Sequence, residues 1–306
     1  MNANYLVFTD RLCYFGARLN LLYTYLLIGF YSFFGLFIQE PNSSVKESSL
    51  TCKEIVYKSL KAIDDVKSLK YYLKITERGK KGMNFYESHV KFNKKPRKIY
   101  IYIKGIEVLW VQGTNKGKAL VKPNSFPYFN LNLDPLGDLM RQDQHHTLHE
   151  MGYDYFASII GYSAAKIDTR FNEVFAFAGE EKVNNRNCYK ITINNDDFKY
   201  VNYTVGPKES ITTIARKLHV CEYMIVEQNK KFKDYFDILK PGEVIKVPNW
   251  YCKKVEMYID KYHFLPIRIK VEDDKGLFEE YNYNFLQVNP DFKDEEFTRT
   301  YKDYHF

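Results

Sequence analysis

His145, His146, His149 and Glu150 are the only clustered side chains whose types and spacing suit chemistry. On one continuous helix His145 and His149 would share a face at i, i+4, the spacing with which two imidazoles grip zinc. The pattern is not His-Glu-x-x-His, because Tyr153 stands where the second histidine would fall. Thr147-Leu-His-Glu150 also reads as a capping box, hydroxyl and carboxylate each satisfying an amide at a helix start. A helix that begins between the histidines separates their faces. The preferred reading is therefore a set of satisfied polar residues at a helix N-terminus, open to a ligand or anion there. The alternatives are a metal-dependent envelope hydrolase using His145, His146 and His149, and a structural adaptor. No Ser-His-Asp or Cys-His ordering, phosphate loop or paired-carboxylate motif accompanies the cluster. The expectation is a non-catalytic protein with no cofactor and no bound metal.

The five cysteines, Cys13, Cys52, Cys188, Cys221 and Cys252, form no Cys-x-x-Cys pair, so a structural zinc site has no support. Cys52, Cys188, Cys221 and Cys252 lie beyond an apolar leader and are free to pair in an oxidising compartment; spacing assigns no partner.

The elements that position these residues are mostly strands. The chain of 306 residues carries 27 Tyr and 23 Phe, types that favour pleated, half-buried surfaces. Net charge is +7, but the lysines interleave with glutamates and no recognition helix or basic tract appears. Nucleic acid is not expected; a solvated surface facing anionic polymers or lipid headgroups is.

Leu21 to Ile38 is an uncharged apolar run, preceded by Arg11 and Arg18 and followed by Glu40. That order is read by secretion machinery, and the length suffices to cross a bilayer. Residues 1–40 are thus expected to be a signal peptide or N-terminal membrane anchor, which implies the periplasm or cell envelope. Residues 41–50 read as a linker. Thr51-Cys-Lys-Glu54 is a capping box, and Ile55, Val56, Leu60, Ile63 and Val66 continue it at helical spacing. From Tyr71 the period becomes two, and strand-like runs separated by turn formers follow to Val121. Asp134-Pro135 reads as N-cap and first helical residue, and Phe156, Ile159 and Ile160 supply a helical apolar face. Strands resume at Glu173–Ala178 and Asn187–Ile193, and again at Lys254–Ile259, Pro266–Val271 and Leu277–Phe285.

Between the last two groups the pattern breaks as an insertion at a hairpin tip would break it. Tyr203-Thr-Val205 is a short strand, and Ile211, Ile214, Ala215 and Leu218 make one helix face. Cys221 to Asn229 is a second helical stretch, and Glu243 to Pro248 returns as a strand. Tyr203-Thr-Val205, Ser210-Ile211, Ile214-Ala-Arg-Lys217, Asn229 and Leu239-x-Pro-Gly-x-x-Ile-x-Val-Pro248 closely resemble the lysin motif. The resemblance implies a βααβ fold that binds peptidoglycan or another N-acetylglucosamine polymer between two loops. Carried over, one side of that groove would be Gly206, Lys208, Glu209, Ser210 and Ile211, and the other Asp237, Ile238, Leu239 and Lys240. Lys208-Glu209 stands where the motif commonly has Gly-Asp, which removes backbone freedom from the first loop.

The flanking sequence has a looser resemblance. Ile106-Glu-Val-Leu-Trp110, Gly113-Thr-Asn-x-Gly-Lys-Ala119, Leu133-Asp-Pro135, His145 to Tyr153, Leu265-Pro-Ile-x-Ile-x-Val271 and Glu296-Phe297 look like a bacterial envelope family of unassigned function. That family is grouped with the outer-membrane lipoprotein-sorting carriers. The resemblance implies an apolar cavity for a lipid or lipoprotein acyl chain. The expected fold is α+β: a strongly curved, incompletely closed antiparallel sheet with covering helices, plus an inserted βααβ lysin motif. Carrier-like sequence occupies 51–200 and 251–306, and the insertion 201–250.

Overall fold

A computed structural model describes residues 50–141, 144–232 and 234–306. The leader, Cys13 and the linker up to Ser49 lie outside the described residues. Among the described residues no helix is long and apolar enough to cross a membrane.

The chain enters through α1 (Cys52–Asp65), where Thr51 Oγ1 accepts from the Glu54 amide and Glu54 accepts from the Thr51 amide at 2.8 Å. A meander follows: β1 (Ser68–Gly79), β2 (Gly82–Asn93), β3 (Lys98–Ile103), β4 (Ile106–Val111), β5 (Ala119–Lys122) and β6 (Leu131–Leu133). The helical interlude is α2 (Asp138–Arg141), α3 (Asp154–Ile167) and α4 (Phe171–Val174). Then come β7 (Phe175–Val183) and β8 (Arg186–Asn194), and, after the inserted segment, β11 (Lys254–Asp260), β12 (Pro266–Asp273) and β13 (Gly276–Val288). These strands form one 11-stranded antiparallel sheet in the order β6-β5-β4-β3-β2-β1-β13-β12-β11-β8-β7. Its two ends, β6 and β7, do not pair with each other, so the sheet is not closed.

Strand periodicity decides which side faces inward. In β1, Leu69, Tyr71 and Leu73 are buried; in β12, Ile267, Ile269 and Val271 are. They share a core with Ile55, Val56 and Ile63 of α1 and Phe156 and Ile159 of α3.

Two local expectations are corrected. Thr147 and Glu150 do make the capping box, but it caps a single 3₁₀ turn, Leu148–Glu150. The next helix starts afresh at Asp154, because Gly152 intervenes at φ +93 against the Phe92 ring, a conformation no helix continues through. Asp134 does not cap a helix either. Its carboxylate accepts from the Leu136 amide at 2.9 Å, an Asx turn that uses up the oxygen before α2 begins. The four described cysteines are free thiols.

Strands β8 and β11 pair directly, with Asn194 opposite Lys254, so residues 195–253 leave and rejoin the sheet at one hairpin tip. Within them β9 (Tyr200–Thr204) and β10 (Val244–Pro248) form a two-stranded antiparallel sheet. The helices α5 (Ile211–Leu218) and α6 (Glu222–Gln228) lie between them in sequence. Val205, Ile211, Ile214, Ala215, Ile225, Ile245 and Val247 make a separate small core. Asn229 fastens α6 to β10: its amide donates to the Lys246 carbonyl at 2.7 Å and accepts from the Lys246 amide at 3.0 Å. Glu222 to Val226 of α6 are all buried, because the helix packs on two sides. Ile225 and Val226 face the small core, whereas Tyr223 and Met224 belong to the large one.

Candidate functional site

The inner face of β1 to β5 does not meet the helices everywhere. It leaves a cavity of about 440 Å³, within the range of roughly 300–1,000 Å³ usual for ligand sites. Ile75, Ile101, Ile103, Ile106 and Leu133 form its sheet wall; Met140, Met151 and Phe156 close it from the helical side. Tyr71, Tyr86, Tyr155, Tyr281 and Tyr283 also line it, so the abundant tyrosine serves cavity as well as sheet. Phe156 lines this cavity and a second, narrow one of about 50 Å³ between α3 and β11, walled by Ile160, Trp250 and Met257.

One part of the lining is polar for a reason set by register. Strands β1 and β13 place Ile75 opposite Tyr281 and Glu77 opposite Glu279. The inward period of Tyr71, Leu73 and Ile75 therefore continues into two carboxylates side by side, both buried. Like charges so placed repel. His145 resolves the conflict: its amide donates to Glu77 at 3.2 Å and its Nδ1 lies 2.8 Å from Glu279 Oε2. Its Nε2 lies 2.8 Å from the Arg78 carbonyl. Tyr281 donates to Glu77 and Tyr251 to Glu279, each at 2.6 Å.

His146 stands beside this pair, Nε2 at 3.3 Å from Glu279 and Nδ1 at 3.4 Å from Glu150. Burial alone would lower its pKa, but the Glu279 and Glu150 carboxylates outweigh that and push it up to about 10. Burial would raise Glu150, but His146, Arg216 and the Thr147 amide hold it down at about 2. Glu279, although buried, is held well below the carboxylate range by His146 and His145. The chain of charge continues through Arg216, ion-paired to Glu150, and Glu222 to Arg141 at 2.6 Å.

A pH dependence follows. His146 has a folded value above its unfolded one, so its contribution is full below pH 6.5 and fades as pH rises to about 10. Glu150 has a folded value below its unfolded one, so its contribution is full above pH 4.5 and fades as pH falls to about 2. Urea unfolding across pH is expected to give greatest stability between these limits, with an alkaline decline abolished by His146→Gln.

The sequence cluster thus splits. His145 and His146 join the buried network, but His149 packs edge-on against Trp110, with ring centroids 4.7 Å apart. The three imidazoles do not converge. Glu77, His145 and Glu279 are instead the group whose ligand atoms lie within 4.8 Å of one another. Every one of their contacts named above is an ion pair or hydrogen bond within the protein. Sequence reading missed Glu77, Glu279 and Tyr281; carrying the two-residue period of β1 one step further would have found Glu77.

In the inserted unit the two loops do meet. The Leu239 amide donates to the Glu209 carbonyl at 2.8 Å, and the Thr212 amide to the Tyr235 carbonyl at 3.0 Å. Lys208, Asp237, Ile238 and Lys240 are exposed and Gly206 is half-buried. Ser210, Ile211 and Leu239 are buried: Ser210 caps α5, and Ile211 and Leu239 belong to the small core. Their side chains face away from solvent. The Glu209 carboxylate turns back to accept from the Gly206 amide at 2.7 Å, from Tyr203 and from Lys217. The Gly206 amide, with Lys217 and Tyr203, holds it below the usual carboxylate range. Lys208 takes φ +59, the left-handed conformation a glycine adopts without cost. The loop keeps its shape at the expense of strain. Lys208→Gly is expected to stabilise the protein by about 1 kcal/mol in urea unfolding.

Residues 66–203 match a family of proteins described as of unknown function, DUF1571. That stretch runs from the end of α1 into β9 and includes the sheet wall and both His145 and His146. None of the curated proteins matches the chain. Similar solved structures include the MucA/MucB complex of Pseudomonas aeruginosa, at 11% identity and TM-score 0.39 over 81% of this chain. This chain covers 60% of that one. The lipoprotein LppX of Mycobacterium tuberculosis has 13% identity and TM-score 0.38, over 79% of this chain and 97% of that one. A putative outer membrane lipoprotein-sorting protein domain from Vibrio parahaemolyticus has 9% identity and TM-score 0.32, over 81% and 96%.

Proposed function

We propose that this is a non-catalytic binding protein of the bacterial cell envelope that holds the apolar chain of a lipid or lipoprotein. The observation that carries the reading is the cavity on the inner face of β1 to β5. Its walls are branched aliphatic and aromatic side chains, the lining that excludes water and accepts a flexible hydrocarbon. Glu77, His146 and Glu150 of its lining are committed to internal ion pairs and hydrogen bonds, which supports storage of a ligand over chemistry upon it. Mass spectrometry of organic extracts from natively purified protein tests this: a stoichiometric lipid is expected, and an extract without one, together with no uptake of added fatty acid, overturns it.

The inserted unit serves as a tether to peptidoglycan or another N-acetylglucosamine polymer. Its lysin-motif spacings support this, as do the exposed Lys208, Asp237, Ile238 and Lys240 on two adjoining loops. Sedimentation with purified peptidoglycan tests it, with Ile238→Ser as the comparison, because Ile238 is 64% exposed and contributes nothing to the core. Equal sedimentation of the two proteins counts against the tether.

A further inference from the structure

The hairpin loop between β5 and β6 carries three large apolar side chains outside any core. Phe126 is 82% exposed, Tyr128 78% and Phe129 62%. Single exposed aromatics are ordinary, but three within four residues form a patch that water does not favour. The loop is held in place. The Asn124 amide donates to the Lys104 carbonyl at 2.8 Å, and the Tyr128 amide to the Ser125 carbonyl at 3.2 Å. Asn124 and Lys104 themselves line the cavity, as does Leu139, which is 73% exposed. The aromatic loop therefore rises from the rim of the site described above.

Its charge is one-sided. Lys122 stands at the base of the loop and Lys104, whose carbonyl holds Asn124, stands beside it, while from Pro123 to Leu133 the sequence carries no carboxylate. Aromatic rings with lysines beside them suit a lipid–water interface: rings settle at headgroup depth and ammonium groups meet anionic phosphates. We propose that the β5–β6 loop docks this protein on an anionic bilayer surface, with the cavity rim held against the membrane. The inference deepens the lipid-binding reading and rests on it.

The full chain carrying Tyr128→Trp is mixed with equimolar phosphatidylglycerol–phosphatidylcholine vesicles whose acyl chains are brominated. Tyr262→Trp, an exposed position in the β11–β12 turn, is the control, and wild-type emission is subtracted from both. Quenching confined to the Tyr128→Trp protein is expected. Reversing Lys104 and Lys122 to Glu in that background should weaken the quenching interaction about tenfold or more. Quenching equal at both positions, or absent at Tyr128→Trp, overturns the proposal, the latter leaving the loop to a protein partner. Titration of the wild type with a dansyl-labelled fatty acid in solution separates the two readings. No uptake there removes the cavity reading, while selective loop quenching would still stand.

Discussion

Glu279→Ala will destabilise the fold by about 3–5 kcal/mol, the cost of leaving a buried charge without its partner. Glu279 is fully buried and meets His145, His146 and Tyr251. Removing it takes from His145 and His146 the carboxylate they share and leaves the Tyr251 hydroxyl without its acceptor. Glu279→Gln separates charge from volume. It keeps the shape but removes the carboxylate that does most to raise His146, so the alkaline decline in stability should shift to lower pH. Urea unfolding at several pH values reads both effects. An alanine variant within about 1 kcal/mol of wild type would mean that the network adds little.

The second large effect concerns the ligand. Ile101 and Ile106 line the cavity wall and are only half-buried, because they border empty space. Replacing both with tryptophan puts two indole rings into that space. Affinity for a fluorescent fatty acid should fall by tenfold or more, which corresponds to about 1.4 kcal/mol or above. Stability should change by no more than about 1–3 kcal/mol, since overpacking a void costs less than overpacking a full core. Wild-type affinity in this variant would place the apolar chain elsewhere, the narrow cavity beside Trp250 being the next place to look.

Local physics was readable and long-range register was not. The Thr51–Glu54 box, the alternation from Tyr71 and the βααβ order of the inserted segment each depend on neighbours within a few residues. Each was legible for that reason. The pairing that brings Glu77 to Glu279 depends on strands whose contacts span 204 positions, as between Tyr281 and Glu77. Nothing local in either segment announces it. The histidines illustrate the divide. The Thr147 capping box was foreseeable, although it opens a 3₁₀ turn and not the expected helix, but Glu279 and Trp110, which decide where the histidines go, come from distant strands. The expected glycan residues show the same limit of local spacing. It could not tell that Ser210, Ile211 and Leu239 turn inward while Lys208 and Ile238 stay outside.

The two-sided packing of α6 limits how this architecture can be shuffled. A hairpin tip is the easiest place for evolution to splice in or swap out a module, and Asn194 and Lys254 sit close enough for a simple turn to replace everything between them. Yet such an excision would uncover the surface against which Tyr223 and Met224 lie, and would orphan Arg141 from Glu222. Any substitute cassette would have to reproduce that outward helix face. Guest and host are therefore expected to vary together between lineages, and to melt as one.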